Sequence, residues 1–337
     1  MTTTIRAGLV GLGAMGRNHA RLLQELEGVE LVGVADPAGD QGGVLRSVPC
    51  VDDVEQLISL GLDLCVVAAP TARHLEIASA LADADVHVLI EKPLAHDVAS
   101  AEQIVDQFER RGLVCAVGHI ERYNPAIREL RRRLEDDQLG QLYQLVTRRQ
   151  SPFPARIADV GVVFDLATHD LDLATWVARS PLAHVSARTA HKSGRRHEDL
   201  VVAVGSLADG TITNHLVNWL SPMKERITAV TGENGMLLAD TVTADLTFFR
   251  NGSVELEWET MALFRGVSEG DVTRYAIPKP EPLRTELETF VASVRAGEPG
   301  DIVTAEQGLE VVRTAVAVLR SAEVGATVAV ADVGVGS

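Results

Sequence analysis

A turn of the form GxGxxG, Gly11-Leu12-Gly13-Ala14-Met15-Gly16, stands between the apolar run Ile5–Val10 and a stretch of helical period, Arg17–Leu26. Few folds admit that order. A strand entering a helix through three glycines gathers backbone N–H groups and the positive end of the helix dipole around one point, where a dinucleotide pyrophosphate sits. Gly11 allows the tight turn, Gly13 lets the backbone approach the phosphates, and Gly16 lets the helix pack close to the strand, with Ala14 and Met15 completing the cofactor-facing turn. Asp36 follows Gly16 by 20 residues and ends the next apolar run, Leu31–Asp36. An acidic group there accepts from the adenosine ribose hydroxyls and repels a 2′-phosphate, so the expected cofactor is NAD and not NADP.

The pattern continues. Apolar runs at Ile5–Val10, Glu30–Ala35, Leu62–Ala69, Val86–Ile90 and Leu113–Val117 alternate with helical periodicity at Val54–Ser59, Ala72–Ala82 and Ser100–Arg111. Parallel neighbours need a crossover helix, so this half predicts an α/β, N-terminal Rossmann dinucleotide-binding domain over residues 1–121. After Gly118 come helical stretches at Pro125–Asp136 and Phe164–Ala178. Strand-like runs then follow, separated by turns at Asp209-Gly210, Glu233-Asn234-Gly235 and Arg250-Asn251-Gly252, before two more helices, Pro282–Ala296 and Thr304–Glu323. Residues 122–337 therefore read as a C-terminal α+β domain with a large, mostly antiparallel open sheet, helices on one face. The other face predicts a homodimer or homotetramer.

Composition narrows the partners. The formal net charge of −16 repels polyphosphate backbones and anionic lipid, so neither nucleic acid nor membrane is an expected partner. Cys50, Cys65 and Cys115 are too few and scattered for a disulfide framework, and no Cys/His cluster suggests a metal. No export signal is visible, and the reading predicts a cytoplasmic protein.

Two further clusters carry chemistry. Glu91-Lys92-Pro93 follows Val86–Ile90, at the carboxyl end of a predicted parallel strand, where a lysine can hold a substrate oxygen and stabilise developing alkoxide charge. In the preceding strand-end segment Ala69 and Thr71 are expected to lie against the cofactor. His74 is open between a capping or surface residue and a nicotinamide neighbour. Asp165 and His169, four apart at the start of a predicted helix, face one way. Taken alone the pair reads as an N-terminal acid and a structural histidine; beside the other motifs it reads as a base that takes a hydroxyl proton and its supporting carboxylate.

Together the glycine turn, Glu91-Lys92-Pro93 and the Asp-x-x-x-His helix resemble the glucose-fructose oxidoreductase and inositol dehydrogenase (Gfo/Idh/MocA) family across essentially the whole chain. The resemblance implies that His169 is the acid/base, that Lys92 holds the reacting hydroxyl, that Asp165 supports them, and that Glu91 and Lys92 line the cofactor. Gly118-His119-Ile120-Glu121-Arg122-Tyr123-Asn124-Pro125, Pro152–Arg156 and Gly161–Asp170 are similar to the UDP-N-acetylglucosamine 3-dehydrogenase branch, which oxidises a sugar 3-hydroxyl. On that resemblance Arg122, Tyr123, Asn124, Arg156 and His169 are the candidate substrate ligands. Residues 121–160 hold eight basic and six acidic side chains, a local excess of positive charge suited to a diphosphate. Arg131, Arg132 and Arg133 read instead as a solvated helix face paired with Glu135 and Asp136. UDP-glucose, UDP-N-acetylglucosamine and a cyclitol all stay open as substrates, and an NAD-sensing regulatory protein is the alternative outside enzymes.

Overall fold

The apolar runs of the first third form six parallel strands, β1 (Ile5–Val10), β2 (Val29–Ala35), β3 (Cys50–Val51), β4 (Leu64–Val67), β5 (His87–Glu91) and β6 (Cys115–Gly118), ordered β3-β2-β1-β4-β5-β6. This is a computed structural model, and it describes residues 4–154, 160–252 and 268–334. The crossovers are α1 (Ala14–Leu23), α2 (Val54–Ser59), α3 (His74–Asp83) and α4 (Val98–Arg111). Every residue of β4 and β6 is buried, which explains their unbroken apolar sequence. Asp53 caps α2 by accepting from Gln56 N at 2.8 Å, and Asp97 caps α4 by accepting from Ser100 N at 2.7 Å. Strand order reverses between β1 and β4, so the crevice at their carboxyl ends is the place for a ligand.

Among the described residues the second sheet has nine strands, and it follows α5 (Pro125–Glu135). Its strands are β7 (Leu142–Pro152), β8 (Leu182–Ala190), β9 (Leu200–Leu207), β10 (Ile212–Asn218), β11 (Leu220–Gly232), β12 (Gly235–Asp240), β13 (Asp245–Gly252), β14 (Ser268–Arg274) and β15 (Val328–Ala329). The order is β14-β13-β12-β11-β7-β10-β9-β8-β15, antiparallel except where β10 runs parallel to β7. A π-helical turn, Val163–Ala167, leads into α6 (Thr168–Ala178), and both pack on β10. Burial alternates along β9 and β10, leaving Val202, Val204 and Ile212 exposed on the opposite face.

Asp209-Gly210 and Glu233-Asn234 turn hairpins as expected, but Arg250-Asn251-Gly252 does not. It lies within β13, where Asn251 and Gly252 pair with Glu269 and Ser268 of β14 and the register shifts just before them, one residue of β13, Arg250, standing against two of β14. The β12–β13 turn is at Thr241–Ala244, where Ala244 takes φ +55° without a glycine to mark it.

The domain boundary also needs correction. The chain forms two units, but the first does not end for good near residue 121: it reaches Ile120 and then takes back Glu281–Val316. That segment holds α7 (Pro282–Ala296) and the greater part of α8 (Ala305–Val324). The physical reason is burial. Leu283, Leu287, Phe290 and Val291 of α7 share one core with Leu22 and Leu23 of α1 and Leu89 of β5. The second unit spans Glu121–Pro280 and Ala317–Val333.

Candidate active site

In the first unit the glycine turn leaves β1 at its carboxyl end. Gly11 has φ +94°, and a Cβ there would come 2.6 Å from Ala68 O; a Cβ on Gly16 would come 1.9 Å from Gly11 O. Both glycines are therefore required by backbone packing. Gly13 differs, because a Cβ at that position meets nothing within 4 Å. It and Ala14 are exposed, and Met15 packs its side chain toward the core. Helix α1 starts at this open place with no side-chain cap and no acidic residue in its first turn. Its orphan N–H groups and positive dipole end thus face the space that Gly13 leaves clear, which fits a pyrophosphate. Asp36 ends the neighbouring strand and accepts from Leu12 N at 2.6 Å and from Ala38 N at 2.8 Å, bracing the glycine turn.

Ala69 and Thr71 follow β4, half-buried, and Lys92 follows β5, also half-buried, so all three stand at the carboxyl edge of the parallel sheet. Two neighbours expected at the cofactor turn inward. Glu91 is buried, with Oε1 2.8 Å from Nε2 of the buried His19. Burial alone would raise its carboxyl, but His19 and Lys92 outweigh that and hold it below the usual range. His74 opens α3 and is not a surface residue. Only 1% exposed, it sets Nε2 3.0 Å from Ala69 O and Nδ1 3.1 Å from Pro93 O, tying the loop after β4 to the turn after Lys92. Burial pulls the His74 imidazole below its ordinary value.

In the second unit Asp165 lies in the π-helical turn and His169 in the first turn of α6, both buried. A regular helix over Phe164–Ala178 was the expectation; the widened turn replaces its start, a departure often found at functional sites. Glu198 anchors that start. Its Oε1 accepts from Val163 N at 3.0 Å, and a Cβ on Gly161 would fall 2.0 Å from the same oxygen, so only glycine admits the carboxylate.

Beside this helix lies a buried ion network absent from the sequence-based candidates. Arg149 of β7 donates from Nη1 to Glu121 Oε1 and from Nε to Asp170 Oδ1, each at 2.9 Å. Arg226 of β11 donates to Glu121 Oε1 at 3.0 Å. Arg149 and Arg226 are paired in register across the strands, a like-charge contact that the carboxylates neutralise. Burial pushes Asp170 up to about 6 against the pull of Arg149. For Glu121 the arginines outweigh burial and hold it below the usual carboxylate range. The available signal was the acidic pair Glu121 and Asp170 inside motifs already singled out, with Arg149 in an alternating strand.

Two expected substrate ligands have partners within the second unit. Arg122 is buried against Asp172, with Nε 2.9 Å from Oδ2 and Nη2 2.5 Å from Oδ1, and sits 5.6 Å from the Trp176 ring centroid. Its charge is already neutralised, so it is a poor anion ligand. Asn124 caps α5: its Oδ1 accepts from Ala126 N and its Nδ2 donates to Thr241 O, both at 3.0 Å. Tyr123 is buried, with Arg128 over its ring. Arg156 lies outside the described residues. Arg131 and Arg132 do pair with Glu135 and Asp136, while Arg133 pairs with Glu129. Asp172→Ala strands the buried guanidinium of Arg122, and the expected loss of about 3–5 kcal/mol should appear as a lower urea midpoint. An unchanged midpoint would mean that the pair contributes nothing.

Residues 5–119 match the profile of an oxidoreductase family with an NAD-binding Rossmann fold, and residues 127–238 match the GFO/IDH/MocA C-terminal domain. The chain is 27% identical to a UDP-N-acetylglucosamine 3-dehydrogenase of Acidithiobacillus ferrooxidans, over 88% of this chain and 90% of that one. It is 33% identical to the myo-inositol dehydrogenase Hyg17 of Streptomyces leeuwenhoekii, over 68% of this chain and 74% of that one. The solved structure of the Acidithiobacillus ferrooxidans enzyme superimposes with a TM-score of 0.82 at 26% identity, covering 96% of this chain and 99% of that chain.

Proposed function

The chain belongs to the GFO/IDH/MocA oxidoreductase family, and from that premise we propose that it oxidises carbon 3 of a UDP-hexose, UDP-N-acetylglucosamine or UDP-glucose, to the ketone. NAD, when bound, supplies the hydride acceptor. The glycine turn and the uncapped start of α1 hold its pyrophosphate, and Asp36 stands at the strand end expected to meet its ribose. His169 takes the hydroxyl proton, Asp165 supports the imidazole, and Lys92 holds the oxygen as charge develops on it. The carbon loses a hydride and the oxygen a proton, leaving the keto sugar.

The observation that carries this reading is the placement of Asp165 and His169 on the π-to-α junction, together with Lys92 on the carboxyl edge of the Rossmann sheet. The nucleotide-sugar branch draws support from the 3-dehydrogenase relative, aligned over 88% of the chain. A cyclitol is the second reading, favoured by the 33% identity to Hyg17 and by the loss of Arg122 as a diphosphate ligand. NADH formation decides between them, measured with UDP-N-acetylglucosamine, UDP-glucose and myo-inositol in turn. Turnover of a UDP-sugar that free UDP inhibits is expected, and turnover of myo-inositol alone would sink the proposal. Val202, Val204 and Ile212, exposed together on the open sheet, further support a homo-oligomer, which a monomer mass in light scattering would contradict.

A further inference from the structure

The ion network of the second unit has no part in the reading above, and its charges are unevenly enclosed. The side chains of Arg149, Glu121 and Asp170 are 3%, 7% and 3% exposed, while that of Arg226 is 33% exposed. Of these four, Arg226 is the one that reaches the surface. It engages the network through a single group: Nη1 donates to Glu121 Oε1 at 3.0 Å, an oxygen that already accepts from Arg149 Nη1 at 2.9 Å. Its Nε and Nη2 have no hydrogen-bond partner among the described residues. Arg122 is the contrast, a buried guanidinium that meets both oxygens of Asp172.

A second cation stands next to it. Side chains alternate along a strand, and in β11 Glu225 turns to Arg148 at 2.9 Å and Gln150 at 2.7 Å, away from the face on which Arg149 reaches Asp170 of α6. Lys224, two residues before Arg226, falls on the same face as Arg226. Lys224 is exposed and has no ion-pair partner among the described residues. The charge on Arg226, and then burial, pulls its ammonium group below the ordinary value in spite of Glu121. Burial, with the charge on Arg149, does the same to Arg226 against the carboxylates of Glu121, Asp170 and Asp165. Both cations are short of negative charge, and an anion lying between them would supply it.

We propose that Lys224 and Arg226 form a subsite of the second unit that takes an anionic group of the substrate, a phosphate or a carboxylate. Glu121 fixes the Arg226 guanidinium at Nη1 and leaves the edge made by Nε and Nη2 for two oxygens of the anion, a fork that matches either group. Arg149 and Glu121 tie Arg226 to Asp170, the residue after His169, so the anion is held beside the helical turn that carries the proposed base. A neutral cyclitol offers neither cation a partner. The subsite supplies the proposed function with the diphosphate ligand that Arg122 does not provide, and for the identity of the reacting sugar it rests on that reading.

Calorimetric titration of the full-length protein, saturated with NAD, tests this with UDP and free glucuronate as separate probes. UDP should bind the wild type, about threefold more weakly to Lys224→Gln and more than about tenfold more weakly to Lys224→Glu. Lys224 holds no carboxylate of the network, so both variants should melt with the wild type. Arg226→Lys, which keeps the charge, should bind UDP more tightly than Arg226→Gln. The wild-type advantage over Lys224→Glu should shrink as salt rises from about 0.05 to 0.5 M, a dependence that a purely structural role would not produce. Variant-dependent binding of UDP assigns the anion to the diphosphate, and such dependence for glucuronate alone assigns it to a sugar carboxylate; either outcome supports the subsite. Equal affinity of the wild type and Lys224→Glu for both probes, or no binding of either probe to the wild type, overturns it. Lys224-dependent UDP binding without turnover of any UDP-sugar would count against the proposed function alone. Turnover of a UDP-sugar with the same kcat/KM in Lys224→Glu would count against the subsite alone.

Discussion

Lys92→Ala is expected to retain NAD binding and lose turnover, with kcat/KM for the sugar falling by roughly 10²–10⁴-fold. The lysine follows the last residue of β5, at the carboxyl edge of the parallel sheet, while the turn proposed to hold the pyrophosphate lies between β1 and α1. On the proposed mechanism, removing the ammonium group deletes an interaction with the developing alkoxide and leaves the backbone of the glycine turn intact. NAD affinity should therefore change by less than about threefold, the signature of an interaction made in the transition state. Steady-state kinetics with calorimetric NAD titration separates the two quantities. A fall in kcat/KM of less than about tenfold would remove Lys92 from the reacting centre.

The second large effect separates two glycines of one motif. Gly13→Ala adds a methyl group where the protein leaves open space, at an extended backbone conformation that alanine adopts freely. Folding should be untouched, and NAD binding should weaken by more than about tenfold, or ~1.4 kcal/mol, because the methyl group takes the room of the phosphates. Gly16→Ala drives its methyl group to 1.9 Å from Gly11 O, so the turn itself must move. That variant should lose about 1–3 kcal/mol of stability as well as NAD affinity. Thermal melts and NAD titration of both variants check the contrast. Wild-type NAD affinity in Gly13→Ala would mean that this turn is not the phosphate cradle.

These contrasts also show what a linear sequence conveys. The path from Ile5 through the glycine turn into α1 was legible because strand period, turn chemistry and helix period are local. The arginine–carboxylate face of α5 was legible for the same reason. The partners of Arg122 and Asn124, Asp172 and Thr241, are distant in sequence, and neither charge nor polarity tells a ligand from a buried strut. The partners of Arg149, Glu121 and Asp170, are likewise remote along the chain. His74 shows the converse: its position after a strand end is legible, while its contact with the Pro93 carbonyl, 19 residues on, is not. The π-helical turn carries no local signature, since the backbone widens where Glu198 meets Val163 N.

The return of α7 to the first unit bears on how the protein is made. The leading 120 residues leave the ribosome without the helix whose Leu283, Leu287 and Phe290 complete their core. At ~5–20 residues per second the missing piece arrives on the order of ten to thirty seconds later. For that interval Leu22, Leu23 and their neighbours lack their native cover, and the nascent chain offers a chaperone an apolar surface that the finished protein conceals. A gene truncated after codon 121 would make that transient exposure permanent.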